Sequence, residues 1–194
     1  PALEKLMDGK SLTEDQKALY QRTVEQVRTT INDAYGTKTD AQAKIIALTA
    51  ILKLRQICVS PRLVAPEMNG GSPKVEFLVQ KVQELRDEGH SALVFSQFTS
   101  FLDIVEKGLD GEGIPFLRLD GSTPVTARKK LVKEFQSSAG PSLLLLSLKA
   151  GGQGLNLTKA TYVFHLDPWW NPAVEDQASD RTHRIGQKRQ VTIT

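Results

Sequence analysis

At 194 residues, 40% apolar and 24% charged, the chain has the composition of a soluble globular protein, with room for one well-buried domain and an appendage. A net charge of +3 is compatible with nucleic acid without requiring it. One cysteine, Cys58, excludes an intramolecular disulfide framework and a cysteine-built zinc site, and the scattered His90, His165 and His183 lack metal-ligand spacing, so no metal held by protein ligands alone is expected.

Residues 1–70 read as a helical extension. Leu19, Tyr20, Val24, Val27 and Ile31 recur at helical spacing behind Glu14 and Asp15, and Gly36-Thr37 punctuates them. A second helix from about Asp40 carries Ile45, Ile46, Leu48, Ile51, Leu52 and Leu54 towards Cys58, which sits between Ile57 and Val59 as a small apolar residue. Pro61 ends that helix, and the segment from Ala65 to Pro73 is the internal boundary. Residues 71–194 then alternate. Helical runs over 75–85, 101–105 and 124–135 separate four strands, at 92–95, 115–119, 142–146 and 161–165. Near-continuous apolar strands between amphipathic helices predict an α/β fold, a doubly wound parallel sheet with helices on both faces. The longest apolar run, residues 143–146, is strand-sized, and neither a signal peptide nor a membrane span is present in the sequence. The chain starts at Pro1 and stops within an apparent strand over 190–194, which reads as a piece excised from something longer.

Ligands of such sheets gather beyond the strand C-termini, and four loops lie there. Ser96 to Ser100 offers hydroxyls that also serve as helix caps. In Asp120-Gly121-Ser122-Thr123-Pro124, Thr123 reads as N-cap and Pro124 as the first helical residue, although glycine and hydroxyls at a helix N-terminus also seat phosphate. The helix that follows shows Arg128, Lys129, Lys130 and Lys133 on its polar side, the ordinary form of a solvated face. The third loop, residues 147–158, places Gly151, Gly152 and Gly154 beside Lys149. It is no dinucleotide fingerprint, because position 157 is leucine and a strand rather than a long helix follows. The fourth, residues 166–172, holds both tryptophans in a prolyl turn. One is expected to wedge that turn against the sheet, and Trp170 is carried as a stacking residue for nucleic acid. The acidic run Asp87-Glu88-Gly89-His90 spells a magnesium box but follows a helical segment, and Gly89 reads as a helix C-cap.

Residues 175–187, EDQASDRTHRIGQ, are the most specific stretch. On a helix Gln177, Arg181 and Arg184 share one face, and two guanidiniums three residues apart suit a phosphate clamp. The residues alone leave open a second reading, a solvated face with Glu175 and Asp180 as salt-bridge partners.

Together FSQF (95–98), DGST (120–123), SLKAGGQGLNLTKA (147–160), DPWWNP (167–172) and DQASDRTHRIGQ (176–187) resemble the ordered motifs of one family. They are similar to the second RecA-like lobe of SWI/SNF-type helicase-like ATPases, double-stranded DNA translocases of helicase superfamily two. The resemblance runs from about Leu12 to the C-terminus, and residues 54–58 with Pro61 resemble the family's helical insertion before this lobe. Ser60 departs from the histidine many members carry, at a structural position.

The resemblance implies roles that spacing cannot supply. Arg181 and Arg184 would act as arginine fingers towards ATP and Mg2+ held mainly on a first lobe, and Gln177 would orient them or contact the nucleotide. Gly152, Gly154 and Asn156 would lie at the lobe interface. Gln97, Ser122, Thr123, Ser147 and Lys149 would contact DNA phosphates without sequence preference. No phosphate-binding loop of the G-x-x-x-x-G-K-[ST] type is present in this sequence, so the resemblance assigns half an ATPase site to this chain and the other half to the first RecA-like lobe of the same polypeptide. The expected partners are that lobe and duplex DNA, with no membrane and a monomeric state. The expected setting is a bacterial cytoplasm, at the nucleoid, or a nucleus. Two rival readings remain: a lobe that has lost motor function and serves as a protein-interaction platform, and a plain nucleotide-binding α/β enzyme. The first conflicts with the intact arginine pair, and the second predicts ATP affinity in this piece alone.

Overall fold

The computed structural model describes residues 12–68, 72–151, 155, 157–167 and 192–193, and the chain divides into two compact units, Pro1–Lys74 and Val75–Thr194. In the first unit α1 (Glu14–Thr37) starts with a reciprocal cap. The Gln16 amide donates to Thr13 Oγ1 at 3.2 Å while the Thr13 amide donates to Gln16 Oε1 at 3.0 Å. The buried Gln16 side chain also donates to the Ile57 carbonyl at 3.3 Å, which ties the start of α1 to the end of α2 (Asp40–Val59). The small residues Ala34, Ala43 and Ala50 are buried, letting the two helices pack closely as a hairpin. Apolar Ile45, Leu48, Ile51 and Leu52 are exposed, so helical periodicity alone overstated how much of α2 is interior. Cys58 is buried, and that burial pushes its thiol up from the ordinary value. After α2, Pro61–Leu63 forms a short 3-10 turn.

The second unit is an α/β sheet. It comprises α3 (Pro73–Asp87), β1 (Ala92–Ser96), α4 (Thr99–Gly111), β2 (Leu117–Leu119), α5 (Val125–Ser137) and β3 (Leu143–Ser147). The one-turn α6 (Leu148–Gly151), β4 (Tyr162–His165) and β5 (Thr192–Ile193) complete it. The strand order is β2-β3-β1-β4-β5 and every pairing is parallel. β1 and β3 are buried along their whole lengths, as strands sandwiched between helical layers must be. On one face Leu93, Phe95, Leu144, Leu146, Leu119 and Val163 form a core with Phe135 of α5. α4 lies against β1 and β3, and α3 packs on α4 so closely that a Cβ at Gly108 would stand 2.7 Å from Val75 Cγ1. The expected α/β architecture, a RecA-like parallel sheet with helices on both faces and a helical N-terminal extension, is the one observed.

Two glycines are required by their backbone. Gly89 (φ 79°) ends α3: its amide donates to the Arg86 carbonyl and the His90 amide to the Leu85 carbonyl, the paired bonds of a left-handed C-cap. Gly113 (φ 64°) ends α4 likewise, with buried Ile114 donating to buried Leu109. The Asp87–Glu88 pair therefore sits at a helix end rather than at a strand terminus, and the acidic run is not a metal box.

Most strand limits shift by a residue or two from those predicted, and three differences have a physical reason or bear on the site. β2 begins at Leu117 rather than 115, since Pro115 has no amide to give a ladder. α5 begins at Val125 rather than Pro124. Leu148–Gly151, expected as loop, is a helical turn directly continuing β3. No described helix is long and apolar enough to cross a membrane.

Candidate functional site

The C-terminal edge of the sheet collects four of the motif loops in a row. β2 delivers the Asp120–Thr123 loop, β3 delivers Ser147 and α6, β1 delivers Gln97, and β4 delivers Asp167. Register fixes their alignment: Leu119 lies beside Leu146, Ser96 beside Ser147, and Phe95 beside His165. From β1 the chain turns towards β2, whereas β5 flanks β4 on the other side, and in open parallel sheets ligands gather beyond the strand C-termini at such a switch point. The ends of β1 and β4 are stitched together: the Gln97 amide donates to Oδ2 of buried Asp167 at 2.9 Å.

The Asp120–Thr123 loop is built more rigidly than its glycine suggests. Asp120 Oδ1 accepts from the Ser122 amide at 2.9 Å and the Ser122 hydroxyl at 2.6 Å, while the Asp120 amide donates to Thr123 Oγ1 at 3.0 Å. With its oxygen used in that way, Thr123 does not cap α5, which is why the helix starts a residue late. Arg118 braces the loop from β2, donating to Asp120 Oδ2 at 2.8 Å and also to Asp103 at 2.6 Å and Glu106 at 2.8 Å on α4. From α5, Arg128 reaches back to donate to the Thr123 carbonyl at 2.9 Å. Burial would push the Asp120 carboxyl up, but the bonds from Ser122 and Arg118 outweigh it and hold the group below the usual carboxylate value. Burial likewise opposes the charge on Arg118, and its bonds to Asp103 and Asp120 hold its pKa above the ordinary value.

The predicted contact residues take different positions at this edge. Ser122 is exposed, Thr123 is partly buried, and Lys149 is exposed on the single turn of α6. Gln97 is partly buried, with its amide on Asp167. Ser147 is buried and its Oγ accepts from the Ala150 amide at 3.3 Å, so its hydroxyl caps α6. Gly152, Gly154, Asn156, Trp170, Gln177, Arg181 and Arg184 lie outside the described residues. Sequence reasoning missed the bracing roles of Arg118, Asp120 and Asp167. An aspartate two residues before a serine in a turn carried a signal for Asp120, but Arg118 finds its partners 15 and 12 residues away and had none.

Among the described residues no group of three or more His, Cys, Asp or Glu could hold a metal ion. At the end of β4, Asp167 accepts from the Gln97 amide through Oδ2. Arg181, Arg184 and Gln177 carry donors of the kind that suits phosphate oxygens. A cavity of about 350 Å3 between Pro115, Phe116 and Ser142 opens where β2 and β3 begin, the end of the sheet opposite the motif loops.

This fold defines a RecA-like lobe. Residues 73–186 match the family "Helicase conserved C-terminal domain". The chain is 51% identical over 124 residues to DNA repair protein RAD5B of Arabidopsis thaliana, covering 63% of this chain and 10% of that protein. It is 39% identical over 190 residues to the putative ATP-dependent helicase/translocase YwqA of Bacillus subtilis, covering 94% of this chain and 20% of that protein. The Sulfolobus solfataricus SWI2/SNF2 ATPase C-terminal domain superposes with a TM-score of 0.73 at 33% identity, over 85% of this chain and 72% of that one. The SWI2/SNF2 ATPase core of the same organism in complex with dsDNA gives 0.78 at 32% identity, over 94% of this chain and 38% of that one. The chain belongs to the SWI/SNF-type helicase family and is its C-terminal helicase lobe. It spans between a tenth and a fifth of the length of these two full-length relatives.

Proposed function

We propose that this chain is the second motor lobe of an ATP-dependent double-stranded DNA translocase, completed by a first RecA-like lobe of the same polypeptide. The observation that carries the reading is the loop row at one sheet edge, with Gln97 and Asp167 stitched together at the strand C-termini, where open parallel sheets gather their ligands. ATP with Mg2+, held on the first lobe, supplies the anhydride whose hydrolysis drives the cycle. On this lobe Arg181 and Arg184 place their guanidiniums against the phosphate oxygens and neutralise developing charge, and Gln177 orients them. Gly152, Gly154 and Asn156 form the lobe interface that lets closure be felt by the DNA-facing loops.

DNA is held through its phosphates. Exposed Lys149 is the charged side chain that reaches them, exposed Ser122 joins it by turning its hydroxyl away from Asp120, and Thr123 and Gln97 shape the loops beside them. Buried Ser147 acts by capping α6, which points Lys149 outward. Trp170 supplies a stacking surface. The test is the chain by itself: it should bind a short DNA duplex weakly, bind ATP no better than weakly, and hydrolyse none. DNA-stimulated turnover by the purified 194-residue chain would overturn the division of the site between two lobes.

A further inference from the structure

The four cations of α5 fall on two opposite faces. Arg128 points inward with Leu131, Val132 and Phe135, and its guanidinium holds the Thr123 carbonyl. Thr126, Lys129, Lys130 and Lys133, spaced i, i+3, i+4 and i+7, form one exposed stripe on the other face. Among the described residues none of the three lysines makes an ion pair or hydrogen bond, not even Lys130 with Glu134 four residues on. Lys17 and Lys81 are neutralised locally, by Glu14 and Glu84, while exposed Lys38, Lys44, Lys53 and Lys107 make no described ion pair but are scattered along the chain rather than gathered in one stripe.

This arrangement works against the helix that carries it. Lys129 and Lys133 are a like-charged i, i+4 pair, which costs helical stability. The first turn of α5, like that of α4, holds no acid to meet the positive end of its dipole, whereas α1 starts with Glu14 and Asp15 and α3 carries Glu76. Nothing in the packing needs the lysines, and they begin within two turns of the Ser122–Thr123 loop. The rise from Lys129 to Lys133 is about 6 Å, close to the axial advance of two phosphates on one strand, at about 3.4 Å each.

We propose that the Thr126–Lys129–Lys130–Lys133 face of α5 is a second phosphate-contact surface for duplex DNA, extending the track begun by Ser122 and Lys149 down the side of the lobe. The proposal rests on the DNA-contacting role assigned to the strand-end loops. A bound polyanion relieves the Lys129–Lys133 repulsion, and the contact is to backbone only, without sequence preference.

Binding of the full 194-residue chain to a labelled duplex across about 50–200 mM salt tests it. Each phosphate contact contributes about 0.9 to the slope of log affinity against log salt, so K129Q/K130Q/K133Q should flatten that slope by roughly 2–3 and weaken low-salt binding tenfold or more. The charge-matched variant K38Q/K44Q/K53Q, in the helical hairpin, should leave the slope near wild type. Thermal melting of the α5 variant should match or exceed wild type, because a like-charge pair is removed. An unchanged slope, or an equal loss in both triple variants, overturns the proposal. If S122A/K149Q abolishes binding while the α5 triple retains it, the loop reading stands and the stripe falls. If the wild-type chain fails to bind duplex even at low salt, both fall together.

Discussion

Replacing Arg118 by Met removes three charged bonds and keeps most of the aliphatic stem. The contacts are unequal. Asp103 is 57% exposed, so its pair contributes little, about 0–1 kcal/mol. Asp120 is 8% exposed against a 21% exposed Arg118, and a hydrogen bond between charged groups there contributes about 1.5–3 kcal/mol. The Asp120 carboxylate keeps both bonds from Ser122, so the full cost of orphaning a buried charge is not reached. R118M should therefore destabilise the Val75–Thr194 unit by about 2–3 kcal/mol at neutral pH. Urea unfolding followed by tryptophan fluorescence reads that unit alone, because Trp169 and Trp170 both belong to it. The pH dependence has a definite sign. The folded-state Asp120 carboxyl lies below its unfolded value of about 3.9, so its stabilisation is complete above that pH and is lost as pH falls through the folded value. The gap between wild type and R118M should be full at pH 7 and close below about pH 4. A gap under about 0.5 kcal/mol at pH 7, or no coupling between R118M and D120N, would refute the bracing argument.

G89A forces a Cβ into a left-handed backbone with nothing within 4 Å to clash, so its cost of about 1–2 kcal/mol is purely conformational; G121A should stay within about 0.5 kcal/mol, and equal losses in the two would contradict the C-cap assignment. D167A removes the acceptor of the Gln97 amide, so hydrogen exchange at that amide should quicken by about tenfold or more while amides in β1 keep their protection. Exchange at Gln97 unchanged from wild type would show that the two loops are not stitched.

The sheet was legible because its determinants are local. Residues 143–146 are four consecutive leucines with no polar alternation, which only a strand covered on both faces accommodates, and β1 and β4 repeat the pattern. The glycine at 89 was legible for the same reason, sitting one residue past a periodic helix. What escaped depended on partners far along the chain. Arg118 read as one residue in a short edge strand, yet its reach to Asp103, Glu106 and Asp120 decides how the neighbouring loop is held. Thr123 read as an N-cap because the hydroxyl precedes a proline, but the Asp120 amide claims that oxygen first. The turn at Leu148–Gly151 was hidden by its glycine-rich sequel, and nothing local in the sequence showed that the buried Ser147 hydroxyl caps it. On α5 composition could not separate Arg128 from the three lysines, and geometry divides them between an inner brace and an outer stripe.

The central claim is that the arginine pair serves a nucleotide held by another lobe. It is tested most directly in the two-lobed polypeptide by measuring DNA-stimulated ATP hydrolysis and nucleotide affinity together for Arg181→Ala and Arg184→Ala. Turnover should fall about 10³-fold or more with nucleotide affinity largely kept. Loss of binding in step with turnover, or turnover close to wild type, would contradict it.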